Sequence, residues 1–123
     1  MFTYSVTAQK YTSVAFTVDT LDNAETITFT TAERFFDLGV MEYHVEVDSL
    51  SGTPAGTISY QYSLDPAGSE WYTVSTDTIA DAAATSAQYQ VTNFAAYRVR
   101  ISITGSGTES CEITPFISFK RNR

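Results

Sequence analysis

One cysteine and one histidine are all that 123 residues offer to thiol, imidazole or soft-metal chemistry, and only three prolines and six glycines interrupt the chain. A lone Cys111 cannot close an internal disulfide, and in a strand it takes the place of a small buried hydrophobe. A hydrolytic triad would depend wholly on His44, and no G-x-S-x-G elbow occurs, so catalysis by that route is not expected. Basic residues are scarce as well. Seven Lys and Arg face 14 acids, and Lys120, Arg121 and Arg123 crowd into the last four residues, leaving residues 1–119 with 14 acids against four bases. Such a surface repels phosphate backbones, so direct nucleic-acid binding is not expected despite eight tyrosines that could stack on bases. No stretch approaches the roughly 20 apolar residues of a membrane span, and the N-terminus lacks a basic region followed by an apolar one. The chain is therefore expected to begin near Met1, to be made in the cytoplasm and to have no membrane partner.

What the chain does have is aromatic and hydroxyl side chains, with eight Tyr, eight Phe and one Trp beside abundant Thr and Ser. These favour pleated surfaces over helices. The length suits one domain, residues 1–123, with a core that needs no disulfide. In the segment Gly56 to Val74, Ile58, Tyr60, Tyr62 and Leu64 alternate with Thr57, Ser59, Gln61 and Ser63 at the period of a half-buried strand, and Pro66 and Gly68 supply a turn. Met41, Tyr43, Val45 and Val47 alternate with Glu42, His44 and Glu46 in a strand with one wet face, which Gly39 is expected to set off from what precedes it. Tyr97, Val99, Ile101 and Ile103 point inward from another, with Arg98, Arg100 and Ser102 outward. Further strands are read at Phe2 to Thr7, Tyr11 to Val18, Glu25 to Thr30, Ser86 to Val91 and Glu109 to Phe119, the last with Pro115 marking an edge or a bulge. Asp19 to Ala24 reads as a polar loop, Ser49 to Gly56 as a connection, and the alanine-rich Asp77 to Thr85 as one helical turn capped by Asp77. About eight to ten short strands with little helix predict an all-β antiparallel β-sandwich of jelly-roll type.

Three constellations invite a chemical reading. Glu42, His44 and Glu46 share a strand face about 6–7 Å apart, a spacing that one metal ion bridges poorly, so a solvated polar face is expected, paired with Arg98 and Arg100 if those strands are neighbours. Asp19, Asp22, Asn23 and Glu25 form the densest group of hard oxygen donors, yet their spacing is not that of an EF-hand, and Asx residues initiate turns for their own reasons. The segment Ser63-Leu64-Asp65-Pro66-Ala67-Gly68-Ser69-Glu70-Trp71 resembles the Asp-box hairpin of sialidases and other propellers, S-x-D-x-G-x-x-W, with one extra residue before the glycine. It occurs once in a chain too short for a propeller. Ser63 and Asp65 are expected to cap the hairpin through its backbone, with Trp71 packed across from the preceding aromatics. No catalytic residue, cofactor or metal site is expected.

A wider resemblance covers Gly56 to Phe119, through GTISYQYSLD, EWYTV, DTIAD, FAAYRVRISITGSGT and ITPFISF. These segments resemble small β-sandwich structural proteins of tailed-bacteriophage virions, of the capsid decoration or head-fibre type. The resemblance implies a virion protein without an active site, made in the host cytoplasm, that docks on other virion proteins, foremost the major capsid protein, and forms a homo-oligomer, a trimer by analogy. Aromatic and basic residues near the chain ends, Phe2, Tyr4, Phe116, Phe119, Lys120, Arg121 and Arg123, are the candidate interface; the aromatic ones alternatively pair within the domain. The rival expectation is a carbohydrate-binding module or a tail-associated adhesion component. It requires exposed rings beside amides or carboxylates, with Tyr11, Tyr72 and Tyr89 as candidates.

Overall fold

A computed structural model of the protein describes residues 11–22, 24–32, 36–79, 84–106 and 110–121. Among these residues nine strands and no helix are found: β1 (Tyr11–Ala15), β2 (Asp19–Asp22), β3 (Thr26–Thr30), β4 (Phe36–Ser51), β5 (Gly56–Ser63), β6 (Tyr72–Ile79), β7 (Ala84–Ala96), β8 (Arg98–Gly105) and β9 (Ser110–Arg121). They form two antiparallel sheets packed face to face. In the first, β1 and β2 both pair with β9, which is followed by β4 and β7; in the second the order is β3-β8-β5-β6. The pairs nest: β5 lies on β6, β4 on β7, β3 on β8 and β2 on β9. One long antiparallel ribbon, with the β5–β6 turn at its tip, has been wound into two layers. That is a jelly roll, the architecture the strand count and turn spacing predict.

Alternation dictates which face each strand buries. Met41, Tyr43, Val45 and Val47 of β4 and Val99, Ile101 and Ile103 of β8 point inward from opposite sheets, each at most 2% exposed. Aromatic rings fill the wider gaps. Tyr43 and Tyr60 meet across the layers with centroids 5.2 Å apart, and Phe36 stands edge-on to Phe119 at 5.3 Å. The Tyr43 hydroxyl donates to the Gln61 carbonyl at 3.1 Å, so its one polar atom is paired. Burial pushes the Tyr43 phenol well above the ordinary tyrosine range.

Several boundaries differ from the sequence reading. Asp19 to Asp22 is a strand, because Leu21 alone reaches the core and is fully buried opposite Cys111. Gly39 does not end a strand: β4 runs through it for 16 residues with a register shift, and a side chain there would collide with the Lys120 carbonyl oxygen. Glycine is thus required by the close approach of β9. Asp77 caps no helix; it belongs to β6, and residues 80–83 lie outside the described residues. Leu64 does not continue the inward row of β5, since Ser63 is buried and Leu64 is 55% exposed. Nor does Pro115 lie on an outer edge. It sits in β9 beside β4, and its carbonyl accepts from the Phe16 amide on the other side. Its nitrogen, pointing the same way as its carbonyl, falls at the break between β1 and β2, where no ladder bond is lost.

Candidate functional site

The two outer faces differ in chemistry. On the second sheet, register aligns outward side chains in rows across four strands. One row is Thr26, Thr104, Thr57 and Thr78; the next is Thr28, Ser102, Ser59 and Thr76; the third is Thr30, Arg100, Gln61 and Thr73. Ten of these twelve positions carry hydroxyls and none is acidic, in a chain whose net charge is −7. The rows are knitted together: Thr26 and Thr104 share a hydrogen bond of 2.9 Å, and Arg100 donates to Gln61, which donates to Thr73 at 3.0 Å. A wide, mostly hydroxyl face with a single cation, Arg100, results, and its hydrogen-bonded side chains lose little entropy when covered.

Beside that face stands the turn between β5 and β6. Asp65 accepts from the amides of Ala67 at 3.0 Å and Ser69 at 3.2 Å and from the Ser69 hydroxyl, while its own amide donates to the Ser63 hydroxyl at 3.1 Å. These bonds, the Ser69 hydroxyl foremost, hold the Asp65 carboxyl below its ordinary range. The expected backbone-capping role of Ser63 and Asp65 is what the geometry shows. Gly68, at φ +71°, bends the chain so that its carbonyl accepts from Trp71 Nε1 at 2.8 Å. Trp71 packs against a cation rather than the tyrosines: the Arg100 guanidinium lies 4.3 Å over its ring. Arg98 locks the turn to the sheet by donating to the Pro66 carbonyl at 2.7 Å and the Thr31 carbonyl at 3.3 Å.

The outer face of the first sheet is acidic. Glu42, His44 and Glu46 project from β4 between β7 and β9, and their neighbours are Gln90, Gln88, Ser86, Ser118, Phe116 and Thr114. Arg98 and Arg100 lie on the other sheet, so the expected pairing with them does not occur. His44 stacks on Phe116 with centroids 4.3 Å apart and planes 4° apart, Glu42 Oε1 lies 3.6 Å from His44 Nε2, and Gln90 donates to Glu42 Oε2 at 3.0 Å. Among the described residues no three His, Cys, Asp or Glu side chains gather as metal ligands. In the acidic segment around β2, Asp19 accepts from the Thr20 amide and Glu25 from the Asp22 amide, which engages those two carboxylates with the backbone; Asn23 lies outside the described residues.

Among the described residues, the candidate interface side chains do not form one patch. Phe119 is 6% exposed and belongs to the core beside Phe36, because β9 is in register with its inward-facing neighbours. Phe116 and Lys120 lie half-buried on the acidic face, and Arg121 is exposed with its guanidinium 4.0 Å from Asp37. Phe2, Tyr4 and Arg123 are outside the described residues. Of the candidate sugar-binding rings, Tyr72 is exposed and rests against Tyr62, whereas Tyr89 turns inward and stacks on Tyr60 at 5.8 Å. Sequence reasoning missed the hydroxyl rows; the alternating threonines of single strands were the available signal.

No family model matches the sequence, and no curated protein matches it. The fold has solved counterparts. PBSX exported protein XepA superposes over 91% of this chain with a TM-score of 0.62 and 14% identity. The VP2 subviral particle protein of infectious bursal disease virus gives 94%, 0.59 and 11%, and the Yersinia pseudotuberculosis-derived mitogen 92%, 0.53 and 9%. The chain spans 38% of XepA, 33% of VP2 and 86% of the mitogen. At these identities the likeness is one of fold.

Proposed function

We propose that the protein is a structural component of a tailed-bacteriophage virion, a capsid decoration or auxiliary head protein that docks on the major capsid protein and associates with copies of itself. The nested strand pairing carries this reading. A jelly roll of this kind recurs in viral capsid and lectin domains, and the VP2 subviral particle protein shares the sandwich. Fold alone does not fix function. The outer faces add to it: a hydroxyl face without acids on one side of the sandwich and an acidic face on the other suit docking through surface complementarity better than the capture of a small molecule. No step of the reading needs catalysis or a cofactor.

The test is immunogold electron microscopy of gradient-purified particles from cells that produce the protein. Regular label on the capsid shell is the expected outcome. Label confined to tails moves the protein to an adhesion role, and particles without label overturn the proposal. The exposed Tyr72 ring supports a second reading, a carbohydrate-binding module; saturable binding on a glycan panel that is lost in Tyr72→Ala, together with unlabelled particles, would establish it.

A further inference from the structure

The strands at the sheet edges are not equally protected. Edges with free backbone N–H and C=O groups attract further strands, and proteins blunt them with charges, bulges or shortness. The second sheet ends in β3, only five residues long, and in β6, which carries an inward-pointing Asp77 and an extra residue at Val74. On the far side of the first sheet, β1 and β2 are short segments separated by a break, and β2 is acidic. β7 is bulged only toward its end, between Val91 and Phe94 where Asn93 has φ +53°, and has no such device before that. Its 13 residues, ATSAQYQVTNFAA, hold no charge, proline or glycine, and Ala84 to Val91 stay in unbroken register with Asp48 to Met41 of β4. Among the described residues no strand pairs with its other side.

We infer that the free edge of β7 is a strand-pairing site whose partner is β7 of a second copy, antiparallel about a two-fold axis at Gln88. The argument is one of charge and of size. In a chain of net charge −7, an uncharged edge avoids like-charge repulsion between copies, and β7 is uncharged along its whole length. With the axis at Gln88, Gln90 lies opposite the second copy's Ser86. The row then reads Glu42, Gln90, Ser86 and Glu46, with the last two from the second copy. The two acids are three strand spacings apart, about 14 Å, which is beyond the screening length of about 8 Å. On the inner face each Tyr89 lies opposite the second copy's small Ala87, so bulk meets space twice. The half-buried Val91 and Tyr89 at this edge gain cover, and both outer faces stay open. Pairing is isologous and closes at two copies, in place of the trimer that the virion resemblance implies. The inference does not depend on the virion reading.

Sedimentation velocity of the full chain across the micromolar range, alone and with Ser86→Lys/Gln88→Lys, tests it. Both positions are exposed on the outer face, so the fold is expected to persist, checked by an unchanged circular dichroism spectrum. The expected result is a reversible dimer that the double substitution weakens roughly tenfold or more, while Thr28→Lys on the other sheet leaves it unaltered. A monomer at every concentration, a trimer, or a dimer indifferent to the lysines overturns the inference. Gln88→Cys gives an independent readout: at the axis the two α-carbons fall within disulfide range, so mild oxidation should cross-link it while Thr57→Cys stays uncross-linked. Failure of Gln88→Cys to cross-link also overturns the register. Neither result bears on immunogold labelling, so the two proposals fail separately.

Discussion

The Tyr60 hydroxyl donates to Asp77 Oδ2 at 2.7 Å, joining the centre of the core to a carboxylate on an edge strand. The arrangement lets an acid point inward at β6 without being left unsatisfied, and burial with the Asp77 bond raises the Tyr60 phenol far above its ordinary range. Tyr60→Phe removes the donor, and a loss of about 1–3 kcal/mol in urea unfolding is expected. If stability is unchanged, the bond contributes nothing net.

Alkaline stability follows from the same phenols. Tyr43 and Tyr60 both titrate higher in the fold than in the unfolded chain. The neutral form is therefore favoured by folding, its contribution is complete below about pH 10, and it is lost as pH rises toward the folded values. Tyrosinate absorbance should appear together with loss of the folded circular dichroism signal above that pH. Titration of these two phenols in a folded protein would contradict it.

The β5–β6 turn gives the opposite sign. Asp65 is held below its ordinary range, so its contribution is present above the unfolded value of about 3.9 and fades as pH falls through the lower folded value. Asp65→Asn should melt below the parent protein at pH 7, and the gap should close in acid. A gap independent of pH would mean that the amide replaces the carboxylate fully.

At Gly39 the test is steric. Gly39→Ala places a methyl group against the Lys120 carbonyl, and a loss of about 1–3 kcal/mol is expected as β9 is pushed away from β4. Chemical denaturation measures it, and a neutral result would show that the strands slide apart freely.

Asp48 and Glu112 are exposed and directly opposed across β4 and β9. Like charges in that position repel, so Glu112→Lys should stabilise the protein by about 0.2–1 kcal/mol, with the gain shrinking in salt. A gain that persists at high salt would point to packing instead.

Strands with one wet face were legible in the sequence. In β4 and β8 every second residue is apolar, so inward and outward sets follow from composition alone, and the backbone bonds of Ser63 and Asp65 follow from turn chemistry. β2 was illegible because one leucine among polar residues gives no period; only the pairing of Leu21 opposite Cys111 makes it a strand. Leu64 misled for a related reason: the turn begins at Ser63 and reverses the alternation. Phe119 looked like a terminal interface residue because its sequence position is near the end, whereas register with β4 carries it inward. The hydroxyl rows required four strands in register, which no single stretch of sequence encodes.

Nested pairing also sets an order of assembly. The tip, β5 on β6, joins neighbours along the chain, whereas Leu21 meets Cys111 only after the strands between them have been wound. Each successive ribbon pair closes a longer loop, and such topologies fold in milliseconds to seconds rather than microseconds. During synthesis β1, β2 and one side of β4 wait for β9, the last made of these nine strands. The inner hairpin can rehearse its contacts early, but the first sheet becomes continuous only at the end, so a nascent chain lacking β9 leaves the Leu21 side of the core open to water.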